Sequence, residues 1–349
     1  MTQSQRNPGQ MAAMAALLAA VVCWCFNGSV AVAQSATGLH HSEQHDFRSV
    51  TLASGLNHPW GLAFLPDGGI LITERSGTLR LFRDGRLLAQ AIKGTPKVAA
   101  RGQGGLLDVA LHPNFAENRL VYLSYAGEDD GKAGTEVARG RFDGTALADL
   151  AVIFRAQPKT PGSAHYVSRL VFDREGHLYI SLGDRRNYMR EAQNPGNHIG
   201  SIVRLNDDGS LPVGNPFTGD TGKRPEIFSY GHRNVQGMTL RPGSDEVWAH
   251  EHGPRGGDEL NLLRAGANYG WPAITYGVDY SGAVISDQTS APGMEQPVVY
   301  WDPSIAPSGM AFYDGERFPE WRGDLFIGAL AHRHLRRLEM HGQKVVCQE

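Results

Sequence analysis

Apolar residues recur along this chain in short runs, each broken by a turn-forming cluster and followed by a second short run. The first copy is Trp60-Gly-Leu-Ala-Phe-Leu-Pro-Asp-Gly-Gly-Ile-Leu-Ile-Thr73. Leu107–Pro113 with Arg119–Ser124 makes a second, Arg169–Ser181 a third and Gly237–Ala249 a fourth. Gly309–Gly315 with Asp324–Gly328 makes a fifth. Each reads as a β-hairpin, because Pro, Asp and Gly in the turns supply the φ values and local hydrogen bonds that tight reversals need. The copies recur every ~45 to 70 residues, a spacing that fits four-stranded blades with loop insertions. The pattern predicts an all-β fold, a β-propeller. A β-sandwich is the alternative, and it does not explain the same hairpin five times.

The longest apolar run lies outside this repeat. Met11 to Phe26 follows a start carrying Arg6 and no acid, and it leads to Ala31-Val32-Ala33 before Gln34. A cationic start, a short apolar stretch and an A-x-A end predict a secretory signal peptide over residues 1–33. The run is shorter than the ~20 residues of a membrane span, which is the competing reading. Lipidation at Cys23 is disfavoured because neither Gly nor Ala directly precedes it. Residues 34–46 are expected to be a flexible N-terminal segment and 47–349 the propeller domain. The product would be periplasmic or secreted, with no membrane span in its mature form. Only Cys347 would remain after cleavage, so no disulfide framework within the chain is possible.

Composition supports the turn-rich reading. The chain has 43 Gly and 19 Pro in 349 residues, and many of the glycines stand in pairs such as Asp84-Gly85 and Asp143-Gly144. Net charge is -3 with no basic block, which excludes nucleic acid as the expected partner. There is no G-x-S-x-G elbow, no P-loop and no C-x-x-C-H haem site.

Four polar segments between strands carry the candidate chemistry, since propeller function collects on loops at one end of the channel. Arg101-Gly-Gln-Gly-Gly-Leu-Leu-Asp108 offers close backbone approach and the amide of Gln103; the alternative is a tight turn. His165 and Asp184 fall at the same end of the third hairpin. They form either a general base oriented by a carboxylate or a structural hydrogen bond. Tyr230-Gly-His-Arg-Asn-Val-Gln-Gly237 brings Arg233 and Asn234, suited to an anionic or polarised oxygen, or to a surface salt bridge. His250-Glu-His-Gly-Pro-Arg-Gly-Gly-Asp-Glu-Leu-Asn261 lacks zinc spacing, and its acids and carbonyls suit a hard cation such as Ca²⁺ better.

In order along the chain, these segments resemble the soluble pyrroloquinoline quinone (PQQ)-dependent aldose sugar dehydrogenases of the glucose/sorbosone dehydrogenase family. The resemblance runs from about Leu56 to Leu338. It is carried by Trp60-Gly-Leu-Ala-Phe, Gly102-Gln-Gly-Gly-Leu-Leu-Asp-Val, Ser181-Leu-Gly-Asp, Gly231-His-Arg-Asn-Val-Gln-Gly, Glu251-His-Gly-Pro-Arg-Gly-Gly-Asp-Glu, Asn268-Tyr-Gly-Trp-Pro and Ser304-Ile-Ala-Pro-Ser-Gly. The resemblance implies a six-bladed propeller of four-stranded antiparallel blades. It implies oxidation of aldoses at the anomeric carbon to lactones by hydride transfer to PQQ, and an external electron acceptor. His165 matches the general base, Asp184 its carboxylate partner, and Arg233 the arginine beside the quinone oxygens. Gln103 and Asn234 match polar contacts to PQQ, and Trp301 an aromatic over it. Gly253 and Pro254 match the carbonyls for a Ca²⁺ bridging to PQQ, and Glu259 and Tyr269 a second calcium site.

Departures from the pattern accompany the resemblance. Val167 stands where glycine is common, and Ala331 where some members carry a lysine. The ending Lys344-Val-Val-Cys-Gln-Glu349 reads as an interrupted strand, so the last blade is expected to be incomplete and the chain truncated. The family's arginine-containing PQQ segment would lie beyond Glu349, which predicts weakened PQQ binding and poor stability. Two other functional classes fit a propeller: a calcium-dependent lactonase or hydrolase, and a non-catalytic binding propeller.

Overall fold

A computed structural model describes residues 36–349. The signal peptide expected over 1–33 lies outside the described residues. A hairpin of β1 (Ala36–His40) and β2 (Phe47–Val50) comes first, so strand pairing crosses the boundary drawn at 46/47. Five four-stranded antiparallel sheets follow. Blade 1 holds β3 (Pro59–Phe64), β4 (Ile70–Glu74), β5 (Thr78–Arg83) and β6 (Arg86–Leu87). Blade 2 holds β7 (Leu106–Leu111), β8 (Leu120–Asp129), β9 (Lys132–Phe142) and β10 (Leu147–Arg155). Blade 3 holds β11 (Val167–Phe172), β12 (Leu178–Leu182), β13 (Ser201–Leu205) and β14 (Ile227–Tyr230). Blade 4 holds β15 (Val235–Leu240), β16 (Val247–Glu251), β17 (Asp258–Leu262) and β18 (Val299–Trp301). Blade 5 holds β19 (Pro307–Phe312), β20 (Leu325–Ala329), β21 (His334–His341) and β22 (Lys344–Gln348).

The hairpins read from the sequence are the first two strands of each blade. No sixth blade stands among the described residues, and the reading of Lys344–Glu349 as an interrupted strand needs correction. Lys344–Gln348 pairs with His334–His341 through a turn at Gly342 (φ +59°) and completes blade 5 as its outer strand. A short outer strand with one half-buried face needs few apolar residues, so its sequence looks broken off.

Successive blades pack face to face. Leu71, Leu81, Leu106, Leu123 and Phe142 fill the space between blades 1 and 2. Tyr122, Leu178, Ile180 and Val203 fill that between blades 2 and 3. Ile202, Phe228, Val235 and Ala249 join blades 3 and 4, and Trp248, Leu260, Leu325 and Leu338 join blades 4 and 5. Each such Leu or Ile, fully buried, contributes about 1.5–3 kcal/mol. The outer face of blade 5 is covered by the N-terminal segment, where Phe47 and His45 meet the edge of Trp321 at 5.7 and 5.1 Å.

The first strands β3, β7, β11, β15 and β19 are successive neighbours and line the channel. Each slips register near its start against the second strand of its blade. Such bulges turn the strand and re-aim side chains. They gather Arg169 onto the Trp60 ring (4.0 Å), onto Asp108 Oδ1 (3.3 Å) and onto the Gln236 carbonyl (2.7 Å), tying four blades together at the channel.

Candidate active site

The starts of the first strands and the ends of the second strands lie at one end of the channel, and the candidate residues sit there. His165 precedes β11. Its backbone N–H donates to Gln103 Oε1 (2.7 Å), and Gln103 N–H donates to the Ser163 carbonyl (2.7 Å). Asp184 follows β12 by way of Gly183. A Cβ on Gly183 would lie 2.3 Å from the His165 carbonyl oxygen, so only glycine permits this approach. His165 Nδ1 meets Asp184 Oδ1 at 2.6 Å, with both side chains buried. The carboxylate also accepts the Arg186 N–H (2.7 Å) and the Trp271 indole N–H (2.9 Å). An anionic acceptor on Nδ1 places the ring proton there and leaves Nε2 as the free lone pair.

Burial pushes the His165 imidazole below its ordinary value. Asp184 opposes that shift, while the charges of Arg233 and Arg186 add to it. The ring is therefore neutral at neutral pH and able to take a proton.

Arg233 lies just before β15 of the next blade. Its Nη1 donates to the His252 and Gly253 carbonyls (2.9 and 2.6 Å), and its backbone carbonyl accepts Asp184 N–H (2.8 Å). Its Nε is buried without a partner, and so is Asn234 Oδ1. Trp271 lies under the guanidinium, 5.2 Å from the ring centroid. Sequence reading missed Trp271 as a site residue; its signal was the Asn268-Tyr-Gly-Trp-Pro motif.

The loop after β16 carries Gly253 and Pro254, both buried. Asp258 Oδ1 accepts Gly253 N–H, and Oδ2 accepts Ser304 Oγ–H and the N–H groups of Ile305 and Ala306, fastening this loop to blade 5. Beside it is a cavity of about 10 Å³, room for one water-sized sphere, lined by Arg233, Glu251, Gly253, Glu259 and Tyr269 among others. Burial and the nearby Glu251 push Glu259 up to about 8. Tyr269 stacks on His232 (4.5 Å), whose Nδ1 faces Glu251 (2.9 Å). Among the described residues no three His, Cys, Asp or Glu side chains group as a metal cluster, so any cation here must draw on carbonyl and amide oxygens as well.

His165, Asp184, Gln103, Arg233, Asn234 and Gly253 are thus brought together. Trp301 is placed elsewhere. Its ring packs in the core between blades 4 and 5, and its indole N–H donates to Gln348 Oε1 (2.9 Å).

A β-propeller carrying an oriented imidazole and a guanidinium at one channel mouth is the class that these features define. Within that class, the chain belongs to the glucose/sorbosone dehydrogenase family, whose model matches residues 56–349. It is 48% identical over 300 residues to the aldose sugar dehydrogenase YliI of Escherichia coli, covering 84% of this chain and 81% of that protein. The apo-form structure of the soluble aldose sugar dehydrogenase of Escherichia coli superposes with a TM-score of 0.81 at 47% identity, covering 84% of this chain and 86% of that one. The PQQ-bound aldose sugar dehydrogenase of Streptomyces coelicolor superposes with a TM-score of 0.71 at 30% identity, covering 86% and 82%.

Proposed function

We propose that this chain oxidises aldose sugars at the anomeric carbon to lactones, with PQQ as cofactor, Ca²⁺ beside it and an external electron acceptor. The observation that carries the reading is the buried His165–Asp184 pair, whose imidazole is neutral and can accept a proton at Nε2. His165 Nε2 takes the proton of the anomeric hydroxyl. Asp184 offsets the charge of the imidazolium so formed, and Gln103 and Gly183 hold the ring in place. Arg233 stabilises negative charge developing beside it. PQQ, when bound, supplies the two-electron sink for the hydride leaving the sugar carbon.

The residues present suit that cofactor. Buried, unpartnered Arg233 Nε and Asn234 Oδ1 want polar partners, as a carbonyl-rich planar anion with water would provide. Gln103 is exposed at the same mouth. The carbonyls of Gly253 and Pro254 would hold the Ca²⁺, and Gly253 keeps one lone pair beyond its bond to Arg233. Glu259 and the Tyr269 backbone would serve a second ion. That position gains support from the mutually repelling Glu251 and Glu259 and from the unpartnered buried Asn261 Oδ1.

The same reading carries a six-bladed plan and export to the periplasm. Leu62 and Phe64 on the channel strand β3, 56% and 69% exposed, support a further neighbour for blade 1. Among the described residues no helix is long and apolar enough to cross a membrane.

Reconstitution with PQQ and Ca²⁺, followed by dye reduction with aldoses, tests the function. Turnover should be lost in His165→Ala. Turnover retained in that variant, or absent from a PQQ-bound parent with every aldose, would overturn the reading.

A further inference from the structure

The backbone around the base is strained on both sides of the His165–Asp184 bond. His165, Val167 and Ser168 have φ of +49°, +56° and +104°, and Arg185 and Arg186 on the facing turn have +55° and +62°. Positive φ at a β-branched residue such as Val167 is an outlier. Each such residue costs on the order of 1–3 kcal/mol and persists only where its surroundings hold it.

Arg185 supplies that hold. It is 7% exposed, and its Nε donates to Thr160 Oγ1 (3.1 Å), Nη1 to the Ala164 carbonyl (2.5 Å) and Nη2 to the Gly162 carbonyl (3.1 Å). Its guanidinium carbon lies 3.6 Å from the centre of the Tyr166 ring, whose hydroxyl also donates to Gly162. The residues on either side of His165, Ala164 and Tyr166, therefore rest on one planar cation. All three acceptors are neutral oxygens, so these bonds set geometry and form no ion pair. A lysine ammonium is a single point charge and cannot span oxygens on three alternate residues while stacking on a ring.

We propose that Arg185 is a positioning residue for His165: its guanidinium holds the Thr160–Tyr166 segment so that Nδ1 stays on Asp184 and Nε2 stays buried and open to substrate. The proposal rests on the reading of His165 as the base, and its first test needs neither cofactor nor turnover. Diethyl pyrocarbonate acylates neutral imidazoles, and mass spectrometry reports the rate at each histidine. Exposed His332 serves as the internal standard, and wholly buried His250 reports general loosening.

In Arg185→Lys and Arg185→Met the rate at His165 should rise about tenfold, as expected when a hydrogen-bonded clamp worth roughly 1.4 kcal/mol is lost. The pH midpoint of that rate should move up towards the ordinary histidine value, and His250 should not change. Thr160→Val, which removes one contact, should give a smaller rise. An unchanged rate at His165 in both arginine variants, or His165 and His250 rising together, would overturn the clamp. With PQQ and Ca²⁺ added, kcat/KM should fall about 10- to 100-fold at similar KM, as for a misplaced catalytic group. Turnover persisting in His165→Ala would sink the assignment of the base and leave the acylation result standing.

Discussion

Replacing Asp184 with Asn separates the two things this carboxylate does. Oδ1 accepts from His165 Nδ1 (2.6 Å) and Arg186 N (2.7 Å), and Oδ2 accepts from the Trp271 indole (2.9 Å). An amide has one oxygen and one NH₂ to put in these places. With its oxygen towards His165, the NH₂ confronts the Trp271 N–H and leaves that donor unmet, at about 1–3 kcal/mol. With the NH₂ towards His165, the imidazole escapes the clash only by moving its proton to Nε2, which abolishes the base, and Arg186 N–H is left unmet. The two orientations cost about the same, so an appreciable fraction of molecules carries the dead tautomer, and all lose the charge that offsets the imidazolium. Together these lower kcat/KM about 10²- to 10⁴-fold, the upper figure being that of a wrong-tautomer imidazole in a related dyad. Asp184 also opposes the downward shift of His165, so the acid limb of the kcat/KM profile should move to lower pH. Asp184→Asn combined with Trp271→Phe removes the indole donor and lets the amide oxygen stay on His165. That double variant should regain about tenfold over the single one, the value of one donor–donor clash. Stopped-flow dye reduction across pH on the PQQ-loaded proteins is the assay. A single variant within tenfold of the parent, or a double variant no better than the single, would refute the argument.

Two further predictions concern blade 4. His250 is fully buried with neither ring nitrogen partnered, and burial, with the charges of His252 and Arg169, pushes it down to about 3. A depressed folded value means that the unfolded chain binds the extra proton, so its stability contribution is complete above the unfolded value of about 6.5 and is lost as pH falls towards 3. The loss reaches about 2 kcal/mol by pH 5. Urea unfolding at pH 7.5 and 5.0 should show a pH loss smaller by about that amount in His250→Thr; equal losses in both proteins would contradict it. Ca²⁺ at a hundredfold excess over its dissociation constant should stabilise the parent by about 2.7 kcal/mol, seen as a rise in Tm, and Glu259→Gln should lose much of that rise.

The inner hairpin of each blade was legible because its second strand is largely buried and a turn built from Pro, Asp or Gly joins it to the first. β4, β12 and β16 are buried along their whole length, which keeps their sequences uniformly apolar. The outer strands carry weaker alternation, and this is why Lys344–Gln348 was mistaken for a broken strand. His165 and Asp184 were legible as a pair because one hairpin brings both ends together. Trp271 was not, since it reaches Asp184 from 87 positions away on an irregular loop that no strand periodicity covers. Trp301 misled for the opposite reason. It lies on a strand where alternate residues face opposite ways, and that alternation turns Tyr300 out and Trp301 into the core.

His250 shows how the repeat and the site constrain each other. In blades 1, 2 and 3 a hydroxyl on the second strand accepts the N–H exposed by the bulge: Thr73 from Gly61 (2.9 Å), Ser124 from Asp108 (2.9 Å) and Ser181 from Arg169 (2.9 Å). Thr73 and Ser124 also donate onward to the next blade, to the carbonyls of Leu107 and Ser168. In blade 4 the equivalent position is His250, and its ring fills the space that a Cβ on Gly237 would need, 2.2 Å from Nε2. A bulky imidazole in place of a hydroxyl explains why the facing residue must be glycine. The same substitution sits two residues from His252, whose carbonyl receives Arg233. A histidine larger than the repeat requires therefore shapes the strand end that presents the Arg233 and Gly253 side of the site. His250→Thr should accordingly disturb Arg233 more than His165: acylation at His165 should stay at the parent rate, because its clamp lies wholly in the loop before β11 and the turn after β12.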